Sequence, residues 1–168
     1  RQRQMCIRDR FITGGKNKDG EPVIRKDDDE FINTLAQLAD KNKAIITILW
    51  QVPNQPLFDS LTEDEIISYT LHKFKNDSDY TWPLLFPMVK SAIRAMDAVQ
   101  DFSEKSLHHP VSRFLVTGGS KRGWTTWLTA ASDKRVAAIA PMVIDVLNMP
   151  VNLDYQLKAW GDYSIQIQ

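Results

Sequence analysis

The sequence predicts an α/β fold, a mostly parallel sheet with helices on both faces. Three observations predict it. Residues 44–50, Ala44-Ile45-Ile46-Thr47-Ile48-Leu49-Trp50, form a continuous β-branched and apolar run without alternation, which suits a strand covered on both faces. Two further short apolar runs, residues 114–117 and 136–144, have the same character. Between them lie stretches whose apolar residues recur at helical spacing. Strands and helices in alternation imply a parallel sheet joined by right-handed crossovers.

Phe11-Ile12-Thr13 reads as the end of a strand, meeting a loop that starts at Gly14-Gly15 and continues through Asn17, Asp19-Gly20 and Pro22. Residues 27–30 supply a cap and an acidic first turn for a helix whose apolar stripe is Phe31, Leu35, Leu38 and Ala39. Pro53 and Pro56 end the strand at 44–50. Thr62 followed by Glu65 forms a capping box for a helix with Ile67, Leu71 and Phe74 on one face. A longer helix follows Pro87, with Val89, Ala92, Ile93, Met96 and Val99 at helical spacing. Phe114-Leu115-Val116-Thr117 is the next strand, and a helix runs from Gly123 to about Ala131. Residues 136–144 form the last strand, interrupted by Pro141.

The chain has 168 residues, with 21 Lys+Arg against 21 Asp+Glu. This neutrality removes the electrostatic case for nucleic acid or an anionic membrane surface as partner. No apolar run reaches the ~18–20 residues that cross a bilayer, and no signal-peptide pattern opens the chain. The single cysteine, Cys6, cannot form an internal disulfide. Residues 1–10 differ in character from the rest and resemble a translated sequencing adapter, so the domain is expected at residues 11–168. The chain also ends, at Tyr163-Ser164-Ile165-Gln166-Ile167-Gln168, without a polar tail of the usual kind. It reads as a partial domain, an incomplete fragment lacking N- and C-terminal parts.

The most informative segment is Thr117-Gly118-Gly119-Ser120-Lys121-Arg122-Gly123-Trp124, because it joins a strand to a helix. A serine at the apex of such a turn lifts its hydroxyl above the carboxyl edge of the sheet, while flanking glycines let strand and helix approach closely. Ser120 is therefore the candidate nucleophile. The backbone N–H of Lys121 and the helix N-terminus would face a developing oxyanion, and the Gly14-Gly15 loop, through Gly15 N–H, is the candidate second donor. The pattern is G-x-S-x-x-G rather than G-x-S-x-G, with Arg122 at the fifth position and the glycine one later. A plain glycine-rich turn is the alternative. The spacing fits neither a P-loop nor a dinucleotide site.

Four strings resemble the PhoPQ-activated pathogenicity-related protein family, an α/β-hydrolase-like group. They are Gln51-Val52-Pro53-Asn54-Gln55-Pro56-Leu57; Trp82-Pro83 with Pro87-Met88-Val89-Lys90 and Arg94-Ala95-Met96-Asp97-Ala98-Val99-Gln100; Ser120-Lys121-Arg122-Gly123-Trp124-Thr125-Thr126-Trp127-Leu128; and Ala140-Pro141-Met142-Val143-Ile144-Asp145-Val146-Leu147-Asn148-Met149. The resemblance implies an α/β-hydrolase-like fold, a serine nucleophile and a secreted or periplasmic location. It leaves the substrate undefined, since the family name records regulation and phenotype.

In α/β-hydrolases the triad follows the order Ser, Asp or Glu, His. No histidine follows Ser120; His72, His108 and His109 all precede it, and the last two belong to the loop at the far end of the nucleophile strand. The acid is expected, with the histidine, beyond residue 168, with Asp145 as the alternative acid. Arg122 is a candidate substrate-binding residue for an anionic group beside the scissile bond, resembling the arginine that follows the nucleophile in glucuronoyl esterases. The alternative is a Lys121-Arg122 pair bonded to nearby carboxylates or solvent. Trp124 and Trp127, three apart, read as helix core rather than a sugar platform. Residues 27–30 and 63–65 read as helix-start charge rather than metal clusters, and Asn17-Lys18-Asp19-Gly20 as a turn too short for calcium. No cofactor and no metal are expected. The sequence thus predicts a serine hydrolase acting on a small-molecule, peptide or saccharide ester, with a non-catalytic secreted signalling or binding protein on the same scaffold as the alternative.

Overall fold

The computed structural model describes residues 8–15, 29–163 and 165, the backbone alone for residues 8–10. The expected loop through Asn17, Asp19-Gly20 and Pro22 lies outside the described residues, as do Cys6 and Asp27-Asp28. The element order is β1 (Arg8–Ile12), α1 (Glu30–Asn42), β2 (Thr47–Leu49), α2 (Glu63–Asp77), α3 (Leu85–Lys105), β3 (Phe114–Gly119), α4 (Lys121–Ser132), β4 (Val136–Met142) and α5 (Met149–Trp160). The four strands form one parallel sheet in the order β2-β1-β3-β4. Strand β1 begins at Arg8, so the sheet includes three residues of the segment that the sequence sets apart.

Side-chain alternation divides the helices between the faces. Ile12 pairs with Gly118 in register and shares a face with Phe114 and Val116. That face meets α3 through Met88, Ala92 and Met96, and these six side chains are the centre of the core. Fully burying a side chain of this size contributes about 1.5–3 kcal/mol. Phe11 points the other way and packs edge-on against Phe31 of α1, with ring centroids 4.8 Å apart, and Phe31 in turn meets Trp50. Asp29 caps α1, its carboxylate accepting from the N–H groups of Phe31 and Ile32. The expected helices on both faces are present.

Several elements differ from expectation. Strand β2 covers three residues rather than seven and stands at the sheet edge, half-buried. Helix α2 buries Ile66, Ile67 and Thr70, whereas Leu71 faces outward. Helix α3 starts before Pro87, which sits in the first turn where no N–H partner is required. Strand β4, expected to be buried, is half-buried to exposed because it stands at the edge of the described sheet, where it accommodates Pro141, and it stops at Met142. Helix α4 buries Thr125, Thr126 and Thr129, each hydroxyl donating to a carbonyl one turn back, and Trp124 packs half-buried against the core as expected, while Trp127 is half-buried. Helix α5, with Pro150 in its first turn, was not foreseen by periodicity because it buries no residue.

Candidate active site

The sheet creates the site by reversing its winding. The chain passes from β1 to β2 on one side and from β3 to β4 on the other. The connections leaving β1 and β3 therefore run to opposite sides, the arrangement at which open α/β sheets form a crevice beyond the carboxyl ends of two adjacent strands. Gly14-Gly15 follows β1 and Ser120 follows β3, so the two candidate segments flank that crevice.

Ser120 has φ 54° and ψ −125°. This lies outside the regions open to L-residues, a conformation costing about 1–3 kcal/mol that persists only when neighbours impose it. Neighbours do impose it. Ser120 N–H donates to Met142 O at 2.9 Å, extending the β3–β4 ladder into the turn, and Ser120 O accepts from Trp124 N–H at 3.0 Å as the first helical bond. Helix α4 then crosses β3 on bare backbone. A Cβ on Gly118 would lie 2.9 Å from Arg122 O, and one on Gly123 would lie 3.0 Å from both Gly118 O and Met142 O. The G-x-S-x-x-G spacing follows from this crossing: Gly118 faces Arg122, and Gly123 faces Gly118. Lys121 is the first residue of α4, so its N–H belongs to the orphan donors of a helix start.

Gly15 has φ 152°, open mainly to glycine, and lies against Gln51. Gly14 O accepts from Gln51 N–H and Thr13 O from Val52 N–H at 3.0 Å, which seats the β1 loop on the loop after β2.

The side chains of Lys121 and Arg122 are almost fully buried, 6% and 11% exposed, and turn to α2. Arg122 forks onto Glu63, Nη1 to Oε2 at 2.7 Å and Nη2 to Oε1 at 3.0 Å, and its Nε donates to Val52 O at 2.8 Å. Lys121 Nζ stands 2.6 Å from Glu63 Oε2 and 2.7 Å from Asp64 Oδ1. Gln55, buried, donates to Glu63 Oε1 and accepts from Glu63 N–H at 2.8 Å. The Arg122 fork holds the Glu63 carboxyl far below the usual carboxylate range against the cost of burial, with Lys121 and Gln55 adding to it. Two cations meet two carboxylates, so the cluster is charge-balanced. Arg122 as a substrate-binding residue thus sits in a closed pair, and the geometry matches the carboxylate-bonded arrangement instead.

Glu63, Asp64 and Gln55 are the residues that motif reasoning missed. Glu65 does cap α2, accepting from Thr62 N–H at 3.3 Å, but Glu63 and Asp64 reach α4. A signal was present. Lys and Arg in the first turn of a helix oppose its dipole and demand nearby carboxylates.

The histidines stand elsewhere. His108 and His109 precede β3, whose six residues, about 20 Å of extended chain, lie between them and Ser120. His72 is exposed in the second half of α2. Asp145 lies three residues beyond β4, exposed, accepting from Leu147 N–H. Among the described residues no group of His, Cys, Asp and Glu is arranged to hold a metal, and no helix is long and apolar enough to cross a membrane.

Fold and site define an α/β protein with a strained serine between strand and helix at the switch point of a parallel sheet. Residues 10–168 match the family described as PhoPQ-activated pathogenicity-related protein, and the chain belongs to that family. It is 40% identical over 163 residues to autocrine proliferation repressor protein A of Dictyostelium discoideum, a match covering 94% of this chain and 32% of that protein. The chain therefore spans about a third of the length of this curated relative. No solved structure matches it.

Proposed function

We propose that the protein is a serine hydrolase in which Ser120 attacks an ester or amide carbonyl and passes the acyl group to water. The backbone conformation of Ser120 carries this reading, because strain of that kind concentrates where a side chain must be presented to a reaction. Ser120 Oγ bonds to the carbonyl carbon as its proton moves to a base, and the carbonyl oxygen becomes an oxyanion. Lys121 N–H, with Gly15 N–H from the facing loop, stabilises that charge. Collapse expels the alcohol or amine with the proton, and water then cleaves the acyl-enzyme and restores the serine. The reading requires a histidine outside these 168 residues, given where His72, His108 and His109 stand; we assign the acid to the same region, with Asp145 as the alternative. Charge balance around Lys121 and Arg122 favours an uncharged group beside the scissile bond, in a small-molecule, peptide or saccharide ester. A secreted or periplasmic location is proposed from the family resemblance.

A second reading is a non-catalytic signalling or binding protein on this scaffold, favoured by the three histidines of these 168 residues all preceding Ser120 and by the relative's name as a repressor. A serine-directed phosphonate applied to the protein from its complete reading frame separates them. Label on Ser120, lost in Ser120→Ala, supports the hydrolase; a folded protein that takes no label supports the second reading.

A further inference from the structure

We propose that Glu63 is a positioning residue for the Ser120 turn: its single carboxylate grips the side chains of both residues that follow Ser120 and so fixes the first-turn amides of α4 toward the crevice. This deepens the hydrolase reading and rests on it.

Four observations support the role. First, Glu63 lies 58 and 59 residues from the two cations it binds, so the contact is a tertiary tie between α2 and α4. Second, the tie is geometrically specific. The Arg122 guanidinium is bonded on three sides, by both Glu63 oxygens and by Val52 O, so the side chain has one orientation. Third, Glu63 is itself held by Gln55, which uses both ends of its amide on the carboxylate and on Glu63 N–H. Fourth, the fork rests on the β1 loop. A Cβ on Gly14 would stand 2.9 Å from Arg122 Cζ and 3.3 Å from Glu63 Oε1. One guanidinium therefore touches both arms of the candidate oxyanion site, the start of α4 and the loop that carries Gly15.

The physical need for such a device is clear. Helix starts favour anions, and here two cations occupy the first two positions, buried, after a residue in a disfavoured conformation. Without a fixed counter-charge the first turn would shift to bring Lys121 and Arg122 to water, moving the amides that face the crevice. Displacement on the scale of 1 Å reduces catalysis about a hundredfold.

The test compares phosphonate labelling rates at Ser120 in the protein from its complete reading frame, for wild type, Glu63→Gln and Glu63→Asp, at a temperature where circular dichroism shows each folded. Glu63→Gln keeps the shape and removes the charge; its labelling should slow by at least about tenfold. Glu63→Asp keeps the charge on a shorter arm and should fall between wild type and Glu63→Gln. If Glu63→Gln does not fold, Glu63→Asp carries the comparison. A merely structural role would lower the melting temperature and leave the folded protein's labelling rate at the wild-type value. That result in every variant that folds overturns the positioning role while leaving the hydrolase reading intact. A wild-type protein that takes no label removes both.

Discussion

Arg122 Nη1 stands 2.7 Å from Glu63 Oε2, and this contact joins the residue two places after Ser120 to the first residue of α2. The same guanidinium takes Val52 O from the loop after β2 and leaves room only for glycine at position 14. Three loops at one edge of the sheet thus converge on one side chain. Arg122 is a structural keystone of the crevice, and its own charge is already matched.

Replacing Ser120 should stabilise the fold if the right residue is chosen. Ser120→Gly relieves a φ of 54° and should raise unfolding free energy by about 1 kcal/mol over Ser120→Ala, which keeps a Cβ in the strained conformation. Denaturant midpoints of the two variants check this, and both should lose phosphonate label.

At the crossing of α4 over β3 the space is closed by backbone and by Ile144. Gly123→Ala places a methyl group against Ile144 Cγ2 and 3.0 Å from Gly118 O and Met142 O, so the Ile144 side chain must move and strand and helix must separate. A loss of about 1–3 kcal/mol in urea unfolding is expected. Gly161→Ala, where a Cβ meets nothing within 4 Å, differs in kind: any cost there comes from φ 80° alone.

The Glu63 carboxyl, held low by Arg122, sets a pH dependence of stability. Because its folded pKa is depressed, the contribution is complete above its ordinary value near 4.5 and is lost as pH falls below that value. Between pH 7 and pH 3 the wild type should lose more stability than Glu63→Gln. The variant should retain some acid sensitivity, since Asp133 is also held low by Arg135. Parallel curves for the two proteins would contradict this assignment.

The closed pair also speaks to substrate charge. Were Arg122 to bind an anionic group of the substrate, Arg122→Ala would weaken acidic esters selectively. With the guanidinium committed to Glu63 and Val52 O, the account predicts equal loss of kcat/KM on acidic and neutral esters. Steady-state rates on a matched pair of such esters decide it.

Much of this was legible in the chain. The β3 run from Phe114, the glycines around Ser120, the cap within residues 27–30 and the capping box at Thr62 are local signals, and the structure places them as their chemistry suggests, with Asp29 as the first cap. Nonlocal features were harder to read. Residues 44–50 are a continuous β-branched and apolar run, yet only three enter the sheet, because β2 stands at the edge and pairs only with Arg10, Phe11 and Ile12 of β1. Helix α5 lacks a buried stripe, so periodicity had nothing to report. The α4 core face holds Trp124, which apolar patterning marks, and three threonines, which it does not, because their hydroxyls are satisfied within the helix. Glu63 was hidden in an acidic helix start, where capping is explanation enough until the buried cations of α4 come within reach.

The most direct measurement is mass-spectrometric mapping of a serine-directed phosphonate on the folded protein from its complete reading frame. The account predicts one adduct, on the peptide containing Ser120, absent in Ser120→Ala. A folded protein with no adduct, or with an adduct on another serine that persists in Ser120→Ala, would contradict it.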